Sequence, residues 1–396
     1  MLYTRAFIGM ALANLFTTTS FAAFFSLPLF ITAQGGTKTD IGVLMGAFAL
    51  ASVLGRPWIS ELVDRLGRKH SYTIGSAMMT LAPIGYLLLP EDLGLAPIYW
   101  PLLGLRLGHG VGLAICFTAA FTYVADIVPP HRINEGIGIF GISGLIGLGL
   151  GPALAEPAIT QTGFAGFFVL TALLSGAAFL CHLPLRESFR MTASTPHGPS
   201  FFQVFRRIDT LQVSLLAFLF GFGISASGNF IFAFAEAQRL QRASLYYLAY
   251  SAAAVLSRVA GGRVADRIGE RRVIAPAFLM TGLGFLSLLL PPSHGILILA
   301  GALSGIGHGF LYPSLNTLAV RDQPASERGK ITGIFTGSID VGILLGSILM
   351  GYLGDWAGFD AIFLASGLSL LVALVVFRNT RNWAVVIRPD GEAAAQ

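Results

Sequence analysis

The strongest constraint on this chain is the recurrence of apolar runs of about 20 residues, each long enough to cross a hydrocarbon core of roughly 30 Å. In lipid the backbone cannot borrow hydrogen bonds from water, so runs of this length must close their own bonds as helices. Breaking the sequence at charged and Pro/Gly clusters gives twelve spans, at 6–33, 40–63, 71–90, 97–125, 135–157, 163–184, 211–236, 245–264, 273–291, 296–319, 331–354 and 360–378. Composition agrees, since 54% of the 396 residues are hydrophobic and 11% charged, far from soluble averages. The first run continues to Thr32, well past the about 7–15-residue apolar core of a cleaved signal, and is expected to remain as a span.

All but six of the 25 Lys and Arg fall in segments on one side of this map. Basic residues are retained in the cytoplasm during insertion, so both termini are expected there. Lys38, Arg239 and Arg242 lie on the other side, while Arg56, Arg106 and Arg258 lie within spans or at their ends. The net charge of +5 follows from this topology and implies no nucleic-acid partner. Trp58 and Trp383 fall near the inner edge and Trp100 and Trp356 near the outer one, as interfacial indoles should. The two cysteines, Cys116 and Cys181, sit inside spans and suggest neither a disulfide framework nor a metal site.

The chain repeats itself. Asp64-Arg65-x-Gly67 recurs as Asp266-Arg267-x-Gly269, each with an arginine eight residues upstream of the aspartate, Arg56 and Arg258. Gly108-His109-Gly110 recurs as Gly307-His308-Gly309, and 138–151 recurs as 333–346. Three matches in one order indicate a six-plus-six duplication. The expected division is an N-terminal bundle at 1–184, a polar linker at 185–210, a C-terminal bundle at 211–378 and a tail at 379–396.

Asp64-Arg65-Leu66-Gly67-Arg68-Lys69 resembles the loop signature of the major facilitator superfamily, G-x-x-x-D-R-x-G-R-[RK], with Ser60 in place of the first glycine; the second copy keeps Gly262, Asp266, Arg267, Gly269 and Arg271. Gly138-x8-Gly147-x3-Gly151-Pro152 resembles the antiporter signature of its exporters, although Ala155-Glu156 replaces the Gly-Gly pair that usually follows. The resemblance implies an all-α membrane protein, with twelve transmembrane helices in two pseudo-symmetric six-helix bundles around a cavity lined by spans 1, 4, 7 and 10. It also implies a conformational latch, in which Asp64 meets the start of span 11, and Asp266 that of span 5, whenever the cytoplasmic side is closed. Such a carboxylate would face the positive end of a helix.

Charged and polar groups inside the spans are the candidates for function, because each is costly there unless it meets water or a partner. Arg106-x-x-His109-Gly110-x-Gly112 resembles the superfamily's R-x-x-Q-G-x-G segment, and Arg106, about nine residues or 13 Å from the outer end, lies near the midplane. His308 is the repeat mate of His109, so the two imidazoles are expected to face one another and to suit proton coupling. Asp340 is the one carboxylate well inside a span and needs a partner or a proton. Glu156 and Glu236 near outer ends read as a solvated rim. Asn14, Asn229, Tyr312 and Asn316 are candidate solute contacts.

An embedded enzyme would need a nucleophile and base or a metal triad at helical spacing, and no such set is present; no cofactor or metal is implied. Without a nucleotide-binding loop the energy source is expected to be an ion gradient. The reading is a monomeric secondary transporter, exporting a small organic solute against inward proton flow across a bacterial inner membrane. The alternative is a proton-coupled importer of a small nutrient.

Overall fold

The structure is a computed structural model that describes residues 2–90, 93–129, 132–188, 201–321 and 323–380, and all regular structure among these residues is helical. The Thr4 side chain accepts from the Phe7 N–H at 3.2 Å and opens α1 (Arg5–Ala23). A 3₁₀ turn at Phe24–Ser26 bends the first expected span into α2 (Leu27–Ala33). Thr37 and Asp40 form a capping box at the head of α3 (Lys38–Leu66). α4 (Arg68–Leu87), α5 (Leu95–Ile127) and α6 (Ile133–His182) follow. The short α7 (Phe201–Phe205) precedes α8 (Ile208–Asn229), α9 (Ile231–Ala237), α10 (Ser244–Ile268), α11 (Glu270–Ser287), α12 (His294–Val320) and α13 (Ala325–Asn379).

The loops expected after 157 and after 354 are not open. α6 and α13 run for 50 and 55 residues and turn at one residue each, Gly163 (φ 72°, ψ −171°) and Gly358 (φ 83°, ψ −178°). Only glycine enters that region cheaply. Gly67 (φ 91°) and Gly269 (φ 85°) make the matching turns from α3 to α4 and from α10 to α11, so the glycine of Asp-Arg-x-Gly is demanded by the backbone. All four turns obey the repeat. Among the described residues seven helices are long and apolar enough to cross a membrane, and the runs in α6 and α13, 48 and 53 residues, exceed the about 40 that two crossings need. α4, α10 and α11 occupy the remaining three expected spans and are more polar.

α1 packs on α6, α3 and α4 pack on α5, and α4 also packs on α6; α8 packs on α13, and α10 and α11 pack on α12. The two groups meet along α3–α13 and α6–α10, and where α2 touches α9. Leu81, Leu173, Leu180 and Leu256 are 65–68% exposed on the outside, a belt that water would penalise and lipid would not. Trp58, Trp100 and Trp356 are exposed too, while Trp383 lies outside the described residues. The expected linker and tail are partly described, 189–200 and 381–396 lying outside.

The antiporter-like segment divides in two. A Cβ on Gly151 would sit 2.5 Å from the Thr19 carbonyl oxygen and the Ala23 nitrogen, and one on Gly147 2.9 Å from Thr18, so this part of α6 lies backbone-to-backbone on α1, with Pro152 buried beside it. Gly138, expected to belong to the same contact, has nothing within 4 Å of a Cβ. Overpacking a tight helix contact costs about 1–3 kcal/mol. Gly151→Ala should therefore lower the melting temperature of the purified protein by several degrees, whereas Gly138→Ala should leave it unchanged; equal melting of the two variants would contradict this packing.

Candidate functional site

Polar links between the two halves run from mid-helix to the face that carries residues 34–37 and 238–243, the loop face. There Phe25 stacks on Tyr247 at 5.5 Å between ring centroids. Asp355 on α13 accepts from the Lys38 and Thr39 N–H groups at 2.9 and 2.8 Å. Glu156 on α6 accepts from the Ala243 and Ser244 N–H groups at 2.8 and 3.1 Å and from the Ser244 hydroxyl at 2.5 Å. Each carboxylate seals the N-terminus of a helix from the other half, where unpaired N–H groups and the helix dipole favour an anion. Glu156 is thus a half-buried latch, not the solvated rim expected. Burial alone would raise the Asp355 pKa, but hydrogen bonds from Thr39, Lys38 and Thr37 hold it below the ordinary carboxylate range.

About four helical turns deeper along α13, Asp340 meets Arg56 on α3. Arg56 donates to Asp340 through Nη2 and to the Thr336 hydroxyl through Nη1 at 2.7 Å, and the Ser52 hydroxyl donates to Asp340 at 3.0 Å. Both charged side chains are half-buried, at 34% and 21% exposure. Asp340 has the partner its position requires, and that partner comes from the other half.

The remaining candidates do not converge as expected. Arg106 is 2% exposed, its guanidinium 4.6 Å from the Phe48 ring centroid, with Nε donating to the Leu44 carbonyl at 3.3 Å. A ring face and a carbonyl stand where a carboxylate would. His109 is fully buried among Phe24, Phe48 and Tyr86, and neither of its ring nitrogens has a partner among the described residues. His308 is hydrogen-bonded to Tyr250 and edged by Phe220. Each imidazole lies in an aromatic box of its own half, so the expected apposition across the pseudo-twofold axis is not found. Asn14 donates to Ser143 at 2.8 Å and Asn229 to Ser347 at 2.6 Å, both helix-to-helix contacts. Tyr312 packs on Phe335, and the Asn316 side-chain oxygen is buried without a partner.

At the opposite, terminal face, Asp64 is 69% exposed and contacts Arg68 of its own half at 3.3 Å; among the described residues it makes no contact with the head of α13. Arg65 pairs with Glu61, and Arg68 reaches Asp126 at 3.0 Å. Glu187 caps α4, accepting from the Arg68 and Lys69 N–H groups at 2.9 and 3.0 Å. Asp126 and Glu187 carried no sequence signal, being far along the chain from the motif they complete. The side chains of Asp266 and Arg267 lie outside those described, and Arg271 is exposed. Among the described residues no group of three or more His, Cys, Asp or Glu could hold a metal ion.

Comparison with known proteins agrees with this architecture. The Major Facilitator Superfamily model matches residues 7–256 and 213–393, and the chain belongs to that family of membrane transporters. An MFS-type transporter of Methanocaldococcus jannaschii is 25% identical over 391 residues, covering 91% of this chain and 95% of its own. The staphylopine export protein of Staphylococcus aureus is 22% identical, covering 86% and 87%. The human organic anion transporter MFSD10 superposes with a TM-score of 0.71 at 17% identity over 94% of this chain and 99% of its own. The nucleoside transporter NupG does so with 0.75 at 14% over 95% and 98%.

The loop-face latches can be tested directly. In a background without Cys116 and Cys181, a cysteine at Ser227 should react slowly with an impermeant maleimide, and severalfold faster once Glu156→Ala and Asp355→Ala are combined. A carboxyl whose pKa is depressed on closure contributes fully above its free value of about 3.9 and loses that contribution as pH falls through the lower value. Acidification from pH 8 to pH 5 should therefore leave the slow labelling unchanged as far as Asp355 is concerned; equal labelling rates in the native and doubly substituted proteins would contradict the latch.

Proposed function

We propose that the chain exports a small organic solute against inward proton flow by alternating access, in a bacterial plasma membrane with both termini in the cytoplasm. The observation that carries this reading is the Arg56–Asp340 pair, a titratable carboxylate inside a span whose counter-charge belongs to the opposite half. Neutralising Asp340 removes the charge–charge attraction between α3 and α13 and leaves Arg56 without a counter-charge. Breaking one partner of a sheltered pair is strongly unfavourable for the charge left behind, so proton binding and movement of the halves are coupled. The basic loops on one side support the orientation. The segment from Gly147 to Pro152 and the similarity to a staphylopine export protein support export.

In the state described, the loop face is shut, so this is the cytoplasm-facing half of the cycle. Asp64, exposed here, docks at the head of α13 when the terminal face closes, and the Asp266 motif plays the matching part. Glu156 and Asp355 then release their helix ends on the other side. The exposed state of one latch and the engaged state of the other fit a two-state rocking mechanism.

In proteoliposomes, solutes are screened for accumulation driven by an imposed pH gradient. For a solute so found, Asp340→Asn should abolish gradient-driven accumulation while downhill exchange persists. Gradient-driven accumulation at the native rate in Asp340→Asn would contradict the proposal, and accumulation in the direction of proton flow would establish the importer instead.

A further inference from the structure

The duplication gives each half-to-half interface an arginine, yet among the described residues only Arg56 is paired with an acid. Along α3–α13, Ser52 and Arg56 face Thr336 and Asp340. The repeat mates along α10–α6 are Ala254 and Arg258 facing Gly141 and Leu145. Every polar partner of the first set is apolar in the second. Arg258 nonetheless reaches across the interface, since a Cβ on Gly141 would lie 2.9 Å from its Nη1. Its Nε is buried without a hydrogen-bond partner, and among the described residues no carboxylate pairs with it.

What surrounds the guanidinium is suited to a solute. Tyr250 and Tyr312 lie within electrostatic reach of Arg258, and Tyr312 is also within reach of Arg56 and Asp340, so it stands between the two interfaces. Asn316, with its unpartnered side-chain oxygen, is one turn along α12 on the Tyr312 face. A cation inside a span is costly without a partner, and among the described residues no carboxylate is set against this one. We infer that Arg258 receives the carboxylate of an aromatic organic anion, with Tyr250, Tyr312 and Asn316 around its body. An arginine fork matches a carboxylate bidentately, and aromatic walls accommodate a flat apolar group. The inference deepens the transporter reading above and rests on it.

The test uses purified full-length protein in detergent, melted with 1-naphthoate, 1-naphthamide or no addition. Binding in detergent needs neither a gradient nor turnover, so its failure is distinguishable from failure of proton-driven export. Naphthoate should raise the melting temperature of the native protein and naphthamide should not. Arg258→Gln should remove the naphthoate shift, or weaken half-saturation about tenfold or more. Leu145→Asp places an acid where the other interface has Asp340, so it should raise the melting temperature without ligand and abolish the naphthoate shift with Arg258 intact. Absence of a naphthoate shift in the native protein, an equal shift from naphthamide, or a native-size shift in both variants would overturn the inference. Repeating the melts in nanodiscs of zwitterionic lipid, with and without anionic lipid, separates solute from headgroup. Loss of the naphthoate shift on adding anionic lipid, together with a lipid shift that needs Arg258, would assign the arginine to a headgroup and overturn the solute.

Discussion

A guanidinium or carboxylate held inside a membrane span is costly unless something nearby answers it, and the three arrangements found here organise the molecule. Arg106 is answered by the Phe48 ring and the Leu44 carbonyl, within one half. Arg56 and Asp340 answer each other across the two halves. Arg258 reaches α6 beside Gly141, and among the described residues no carboxylate pairs with it. These differences cannot come from the backbone, because the duplication places Arg56 and Arg258 equivalently. They come from which side chains the opposing helix offers, and only a pair that spans the two halves can tie their separation to one charge.

The helix ends follow the same electrostatics with weaker charges. Glu156 and Asp355 give two carboxylates to two helix N-termini on the loop face, where N–H groups would otherwise be unpaired. On the terminal face Glu187 caps α4 within its own half, and Asp64 remains exposed. Anions on helix starts thus close one face in this state and leave the other free. Because the loop-face donors are mainly backbone N–H groups at helix ends, water can replace the carboxylates on them at modest cost.

Much of the fold was legible because its signals are local. Apolar run lengths set the spans, and the repeated Asp-Arg-x-Gly located turns that Gly67 and Gly269 make with positive φ. The single-residue turns at Gly163 and Gly358 were read as short loops, since hydropathy dips over several residues even where helix persists. The site was less legible. Asp340 was marked by its depth in the span, but its partner lies 284 residues away, and Arg56 looked like the upstream companion of a topology motif. The pairing of His109 with His308 failed for a physical reason: repeat symmetry fixes equivalent positions, not their distance, and each ring rotates into its own aromatic core. The role of Glu156 was hidden because helix N–H groups have no side-chain signature.

The central claim is that the charge on Asp340 sets the balance between the two faces. Spin labels at Glu61 on α3 and Gly329 on α13, both exposed at the terminal face, report the separation of the halves by pulsed electron resonance. The account predicts that Asp340→Asn and Arg56→Gln each change the distance distribution relative to the native protein under identical conditions. Native distributions in both variants would contradict it.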